Sequence, residues 1–265
     1  MKYIFLLLIF MLELFGSVIK SPITSISADE REVTIEIDKI NIGMSGWIVH
    51  KIDDNHKTII KNVVITKFDE DTKVATLKLS DYTTFGNDTL PSANFKVKIG
   101  DNVVLTFGYN RGLLIAPSEE IYYRITKKSQ VQWVHPDIFA TSLSFSGHPT
   151  PLREDFTRVS ESNSIGLVYI FLDNTIYILD AKSFKILSAT VVSLAQEEVV
   201  LPFYTRIQEI DANWWGEGSS ELEDYEPHYY ELIAQANPNN KDLYQKIKYS
   251  KKKIQYILKK FNIEE

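Results

Sequence analysis

Cysteine is absent from the 265 residues. That excludes disulfides, a thiolate nucleophile and cysteine-ligated metal, and it excludes a lipid anchor, which needs a thiol behind the export segment. An excess of positive charge is missing too. The chain holds 29 Lys and Arg against 35 Asp and Glu, a net charge of −6, so no nucleic-acid partner is expected, because phosphate binding needs a basic face. Long apolar runs are missing with one exception: Lys2 is followed by an apolar run from Tyr3 to Leu12, then Glu13 and the small pair Gly16 and Ser17. A bilayer-spanning helix needs about 20 apolar residues, so residues 1–17 read as a signal peptide, with the mature chain starting between Gly16 and Ala28. An uncleaved short anchor is the alternative. Export to the periplasm or the outer-membrane surface is the expectation.

What remains has an ordinary globular composition, 44% hydrophobic and 24% charged. Val33, Ile35 and Ile37 alternate with polar residues, and Trp47 to Ile52, Thr58 to Ile65 and Val74 to Leu79 continue in β-branched and aromatic residues. Turn residues separate these runs at Asp53-Asp54-Asn55, Asp69-Glu70-Asp71, Gly86-Asn87-Asp88, Gly100-Asp101-Asn102 and Asn110-Arg111-Gly112. The spacing predicts a small antiparallel barrel or sandwich over residues 31–116.

Pro117 begins a different pattern. Ser118 followed by Glu119 and Glu120 predicts a capped helix to about Lys128, His135-Pro136-Asp137 opens a second, and Arg153 to Ser160 suggests a third. Strands are expected at Val131–Val134, Ile165–Leu172, Thr175–Leu179 and Phe184–Val192, with a tight turn at Asp173-Asn174. This makes residues 117–211 an α+β unit, whose order of elements resembles the small α/β domain at the amino end of the periplasmic Tol propeller protein. After a strand-like Tyr204–Ile210, residues 212–265 read as helical, with one helix at Glu221–Gln235, a turn at Asn237-Pro238-Asn239-Asn240, and another helix at Lys241–Phe261. The fold class is therefore α+β: a β-rich barrel or sandwich, an α+β unit and a C-terminal helical hairpin.

Charge is polarised in that last segment. No Lys or Arg occurs between Gly216 and Asn240, where Glu217, Glu221, Glu223, Asp224, Glu226 and Glu231 cluster; Lys241, Lys246, Lys248, Lys251, Lys252, Lys253, Lys259 and Lys260 follow. In the final helix Leu243, Ile247, Ser250, Ile254, Ile257 and Phe261 form a narrow apolar seam that something must cover. Docking on the acidic helix or the globular body is one reading. Contact with a partner or an anionic membrane surface through Lys251, Lys252, Lys253, Lys259 and Lys260 is the other. Trp214 and Trp215, beside Gly216, either plug a domain interface, form a hot spot for a partner or stack on a sugar.

Chemistry-bearing motifs are sparse. The five histidines, His50, His56, His135, His148 and His228, show no zinc-site spacing, and no glycine-rich phosphate loop is present, so neither metal nor cofactor is expected. Ser144-Phe145-Ser146-Gly147-His148 lacks the first glycine of a nucleophile elbow and follows a helix rather than a strand. No catalytic activity is expected.

Several strings together resemble the amino-terminal domain of bacterial plasminogen-binding surface proteins: Ser45-Gly46-Trp47-Ile48-Val49-His50, Gly100-Asp101, Leu114-Ile115-Ala116-Pro117, Ile165-Gly166-Leu167-Val168-Tyr169-Ile170, Asn174-Thr175-Ile176-Tyr177-Ile178-Leu179-Asp180 with Ser183-Phe184, and Pro202-Phe203-Tyr204-Thr205-Arg206. The resemblance covers about Arg31 to Asp211. It implies a non-enzymatic envelope protein with a host protein partner, plasminogen. In that family capture is attributed to lysine-rich tails ending in Lys, gripped by kringle domains. Here the last residues are Ile263-Glu264-Glu265, and the nearest grouping of cation and anion is Lys259 and Lys260 with Glu264 and Glu265. A periplasmic scaffold component is the alternative.

Overall fold

Alternating burial sets the strands of the first unit, residues 1–109. They are β1 (Ile19–Ile26), β2 (Glu32–Glu36), β3 (Ser45–Lys51), β4 (Lys57–Asp69), β5 (Val74–Asp81) and β6 (Asn102–Leu105). The computed structural model describes residues 18–82, 95–194 and 198–263, so residues 1–17, the expected turn at Gly86-Asn87-Asp88, and Glu264 and Glu265 lie outside it. The strands close into an antiparallel barrel of order β1-β2-β5-β4-β3-β6, with β1 pairing with both β2 and β6. Ile23, Val33, Ile35, Ile48, Val63 and Leu77 fill it. Burial of each aliphatic side chain of this kind contributes about 1.5–3 kcal/mol.

The barrel is thus the outcome of the barrel-or-sandwich expectation, and its first strand, β1, lies outside the strands expected from the sequence. β1 is written in serine, threonine and proline, yet Ser21 and Ile23 point inward and Ser21 donates to the Glu36 carbonyl at 2.9 Å. Where β3 meets β6 only glycine fits at position 46, because a Cβ would stand 2.1 Å from the Val104 carbonyl oxygen. Gly100 takes φ +90° and leads into Asp101, whose carboxylate accepts from the Lys98 amide at 2.8 Å and pairs with His50 Nδ1 at 2.7 Å.

The second unit, residues 110–265, begins with β7 (Arg111–Ile115), which the sequence reading had grouped with the barrel strands and which runs in the second sheet. It continues with α1 (Glu119–Thr126), β8 (Gln132–Val134), α2 (Pro136–Ser146), α3 (Arg153–Asn163), β9 (Leu167–Leu172), β10 (Thr175–Asp180) and β11 (Ile186–Val191). The sheet order is β11-β10-β9-β7-β8; β7 runs parallel to β8 and β9, and the remaining pairs are antiparallel. Every residue of β9 is buried, as expected of a central strand covered on both faces. Ser118 caps α1 by accepting from the Ile121 amide, and Asp173 and Asn174 both take positive φ in the β9–β10 turn.

Three helical elements complete this unit: α4 (Tyr225–Ala236), α5 (Lys241–Lys248) and a 3₁₀ helix (Lys252–Lys260). Two expectations are corrected here. The helix expected from Lys241 to Phe261 is interrupted, because Lys251 has an extended ψ of 141° and the Gln255 side chain donates through Nε2 to the carbonyls freed at Lys248 and Ser250. Residues 204–210 form no strand. The Asp137 carboxylate takes the Thr205 hydroxyl at 2.8 Å and the Arg206 amide at 2.9 Å, so that amide is not free for a sheet ladder. Among the described residues no helix is long and apolar enough to cross a membrane.

Candidate partner-binding surfaces

The apolar seam of the C-terminal segment is buried: Leu243, Ile247, Ile254, Ile257 and Phe261 belong to the same core as Tyr229, Tyr230 and Ile233 of α4. Burying that face brings the basic block over the acidic one. Lys251 Nζ lies 3.2 Å from Glu226 Oε2, Lys253 Nζ 2.9 Å from Asp224 Oδ2 and 3.8 Å from Glu226 Oε2, and Lys260 Nζ 2.8 Å from Glu231 Oε1. Burial pushes the Tyr256 hydroxyl up to about 12, reinforced by the Glu231 carboxylate to which it donates.

Lys252 and Lys259 are exposed and have no carboxylate partner among the described residues. The Lys259 ammonium stands 5.8 Å from the centroid of the Tyr256 ring. The five candidate lysines therefore divide, with Lys251, Lys253 and Lys260 spent on internal ion pairs and Lys252 and Lys259 facing solvent.

Trp214 and Trp215 are 96% and 82% exposed and plug nothing within their unit. Their loop is nonetheless held firmly. The Asn213 amide donates to the Gly147 carbonyl at 3.0 Å and its side chain to the Ser146 carbonyl at 2.7 Å, while the Asp211 amide donates to Ser144 Oγ at 3.1 Å. On the far side of the pair, Thr150 donates through its amide to the Gly218 carbonyl at 3.1 Å and through its hydroxyl to the Ser220 carbonyl at 2.7 Å. Phe145 stands 90% exposed on the helix end to which the loop is latched. Sequence reasoning gave Phe145 no role; its signal was position, two residues beyond the buried Leu143 and so off the apolar face of α2.

The imidazoles serve the fold. His148 Nδ1 lies 3.0 Å from both oxygens of the buried Asp155, which also accepts from the Leu152 amide at 2.8 Å at the start of α3. Ser146 Oγ donates to the Ser142 carbonyl at 3.1 Å and accepts from Arg158, so its hydroxyl is engaged away from His148. His228 Nε2 lies 2.8 Å from the Pro151 carbonyl, and burial lowers its pKa. His135 Nδ1 accepts from the Asp137 amide at 3.3 Å as the N-cap of α2. Among the described residues no group of three or more His, Asp or Glu could hold a metal ion.

Residues 18–233 match the family described as "Plasminogen-binding protein pgbA N-terminal". The chain belongs to this family. Plasminogen-binding protein PgbA of Helicobacter pylori (strain J99 / ATCC 700824) is 27% identical over 198 residues, 73% of this chain and 43% of the relative. PgbA of Helicobacter pylori (strain ATCC 700392 / 26695) is 26% identical over 198 residues, 73% of this chain and 42% of the relative. The chain thus matches less than half the length of these two PgbA proteins. No solved structure matches it. The PgbA family span takes in the Trp214–Trp215 loop and ends within α4, so the lysines at 251–260 lie beyond it.

Proposed function

We propose that this chain is an exported, non-enzymatic protein of the cell envelope that acts by binding a protein partner, with host plasminogen the candidate that its relatives' name supplies. The observation that carries this reading is the family match, which runs through the barrel and most of the second unit. Support comes from the polar groups that could otherwise serve chemistry: His148, Asp155 and Ser146 are bound into helix ends and turns. Of the five candidate lysines, Lys252 and Lys259 are the two left to a lysine-gripping partner.

Surface plasmon resonance on immobilised plasminogen tests the binding. Saturable binding competed by free lysine is expected, and K252Q/K259Q is expected to weaken it while K251Q alone does not. Failure to bind overturns the plasminogen reading. Protease shaving of intact cells tests exposure: release of the chain supports surface display, and sparing supports a periplasmic scaffold. Amino-terminal sequencing of the envelope form is expected to find a start within the range Gly16 to Ala28, and at its early end, since removal beyond Ile19 takes away the strand that closes the barrel.

A further inference from the structure

We infer that the Trp214–Trp215 loop is a docking surface for a Lys- or Arg-rich peptide segment of a partner protein. Large aromatic side chains left in water cost hydration free energy unless something covers them, and exposed apolar clusters mark interaction sites. Two adjacent tryptophans at 96% and 82% exposure, and Phe145 at 90% on the helix end to which their loop is bonded, are the most exposed large aromatic side chains of the second unit.

The loop is also built rather than loose. Gly147 takes φ +69°, and a Cβ there would stand 2.2 Å from the Asn213 side chain, so the helix end and the loop have been brought as close as backbone allows. Gly218 takes φ +82°, and a Cβ there would stand 2.9 Å from the Thr150 carbonyl oxygen. Bonds on both sides of the pair hold the indoles on a preorganised platform, which reduces the entropy lost on binding.

Charge decides the occupant. Between Ile207 and Asn240 the chain has no Lys or Arg. The acids of this stretch fall into two groups. Asp224, Glu226 and Glu231 are neutralised by Lys253, Lys251 and Lys260. Glu209, Asp211, Glu217, Glu221 and Glu223, which bracket the tryptophans, are exposed and have no cationic partner among the described residues. A tryptophan face attracts Lys and Arg through its quadrupole, and unpaired carboxylates beside it add attraction of the same sign. An anionic lipid surface would meet those carboxylates with repulsion. The inference does not depend on plasminogen being the partner.

The experiment is a tryptophan-fluorescence titration of the purified full chain with octalysine, alongside octaglutamate, a chitooligosaccharide and phosphatidylglycerol vesicles. A saturable change with octalysine alone is expected, at least tenfold weaker in 300 mM than in 50 mM NaCl because screening shortens to a few ångströms. W214A/W215A is expected to abolish it, and D211N/E217Q to weaken it several-fold, both at an unchanged melting temperature. No saturable response to octalysine overturns the inference. So does equal affinity in W214A/W215A measured by calorimetry, or a saturable response to the saccharide or the vesicles in its place.

Discussion

Lys260 and Glu231 meet across the C-terminal hairpin at 2.8 Å, and the second oxygen of the same carboxylate takes the Tyr256 hydroxyl at 3.0 Å. Burial alone would raise the Glu231 pKa; the bonds from Lys260 and Tyr256 and the Lys260 charge outweigh it and hold the carboxyl below its ordinary value. Sequence neighbours of opposite charge have become spatial partners, folded back over a buried apolar seam.

The two classes of lysine should separate in the laboratory. K251Q/K253Q strips the mostly buried Glu226 of its cations and is expected to cost about 1–2 kcal/mol, since such pairs exceed the exposed-pair median. That corresponds to a fall of roughly 2–8 °C in melting temperature. K252Q/K259Q is expected to leave the melting curve unchanged and to alter only partner binding.

Acid should destabilise the second unit in two stages. His228 and His135 have folded pKa values lowered, by burial first, so the unfolded chain takes up protons near its ordinary 6.5 that the folded chain refuses. Their contribution is complete above that value and declines as pH falls below it. Glu231 and Asp137 are also held below their ordinary values of 4.5 and 3.8, and their contribution is lost only as pH falls further, through the folded values. Melting temperatures measured from pH 8 to pH 3 should therefore show an early decline, reduced in H228Q, and a later one that H228Q leaves in place.

Asn237 offers a third test. Its side-chain amide donates to the Phe184 and Ile233 carbonyls at 3.0 and 2.8 Å, and its oxygen accepts from the Ile186 amide at 3.0 Å. N237A orphans these buried groups and is expected to cost about 2–3 kcal/mol, read as a drop of roughly 4–12 °C in melting temperature.

Gly147 offers a fourth. G147A places a Cβ in a left-handed conformation and against Asn213, and should cost about 1–2 kcal/mol. Hydrogen exchange should quicken at the Asp211 and Asn213 amides, whose acceptors lie on residues 144–147, while the barrel amides keep their protection.

Much of this architecture could be read from local chemistry. The Ser118 cap, the Asp173-Asn174 turn and the four-and-three spacing from Leu243 to Phe261 each depend on residues close in sequence, and each appears in the structure. Features decided at a distance were hidden. β1 reads as polar because Ser21, Thr24 and Ser25 make side-chain bonds to β2, bonds visible only once the strands are paired. The break at Tyr249–Lys251 sits in a run that suits a continuous helix. It coincides with Lys251 reaching Glu226, a carboxylate 25 residues earlier. The alternation at Tyr204–Ile210 looked like a strand, but Asp137, 68 residues upstream of the Thr205 it bonds, had already claimed the segment.

Closure of the first sheet has a consequence for how the two units meet other copies of the chain. A barrel whose β1 pairs on both sides leaves no free row of amides and carbonyls. The second sheet ends at β8, only three residues long, and at β11, six residues long with Val191 well exposed, and among the described residues no further strand pairs with either. The Asn237 side chain accepts from the Ile186 amide at the start of β11. Strand-by-strand growth between molecules, the common route to aggregation of concentrated or partly unfolded β-containing proteins, therefore has its template along β11, and a lysine placed at Val191 would act there as a gatekeeper.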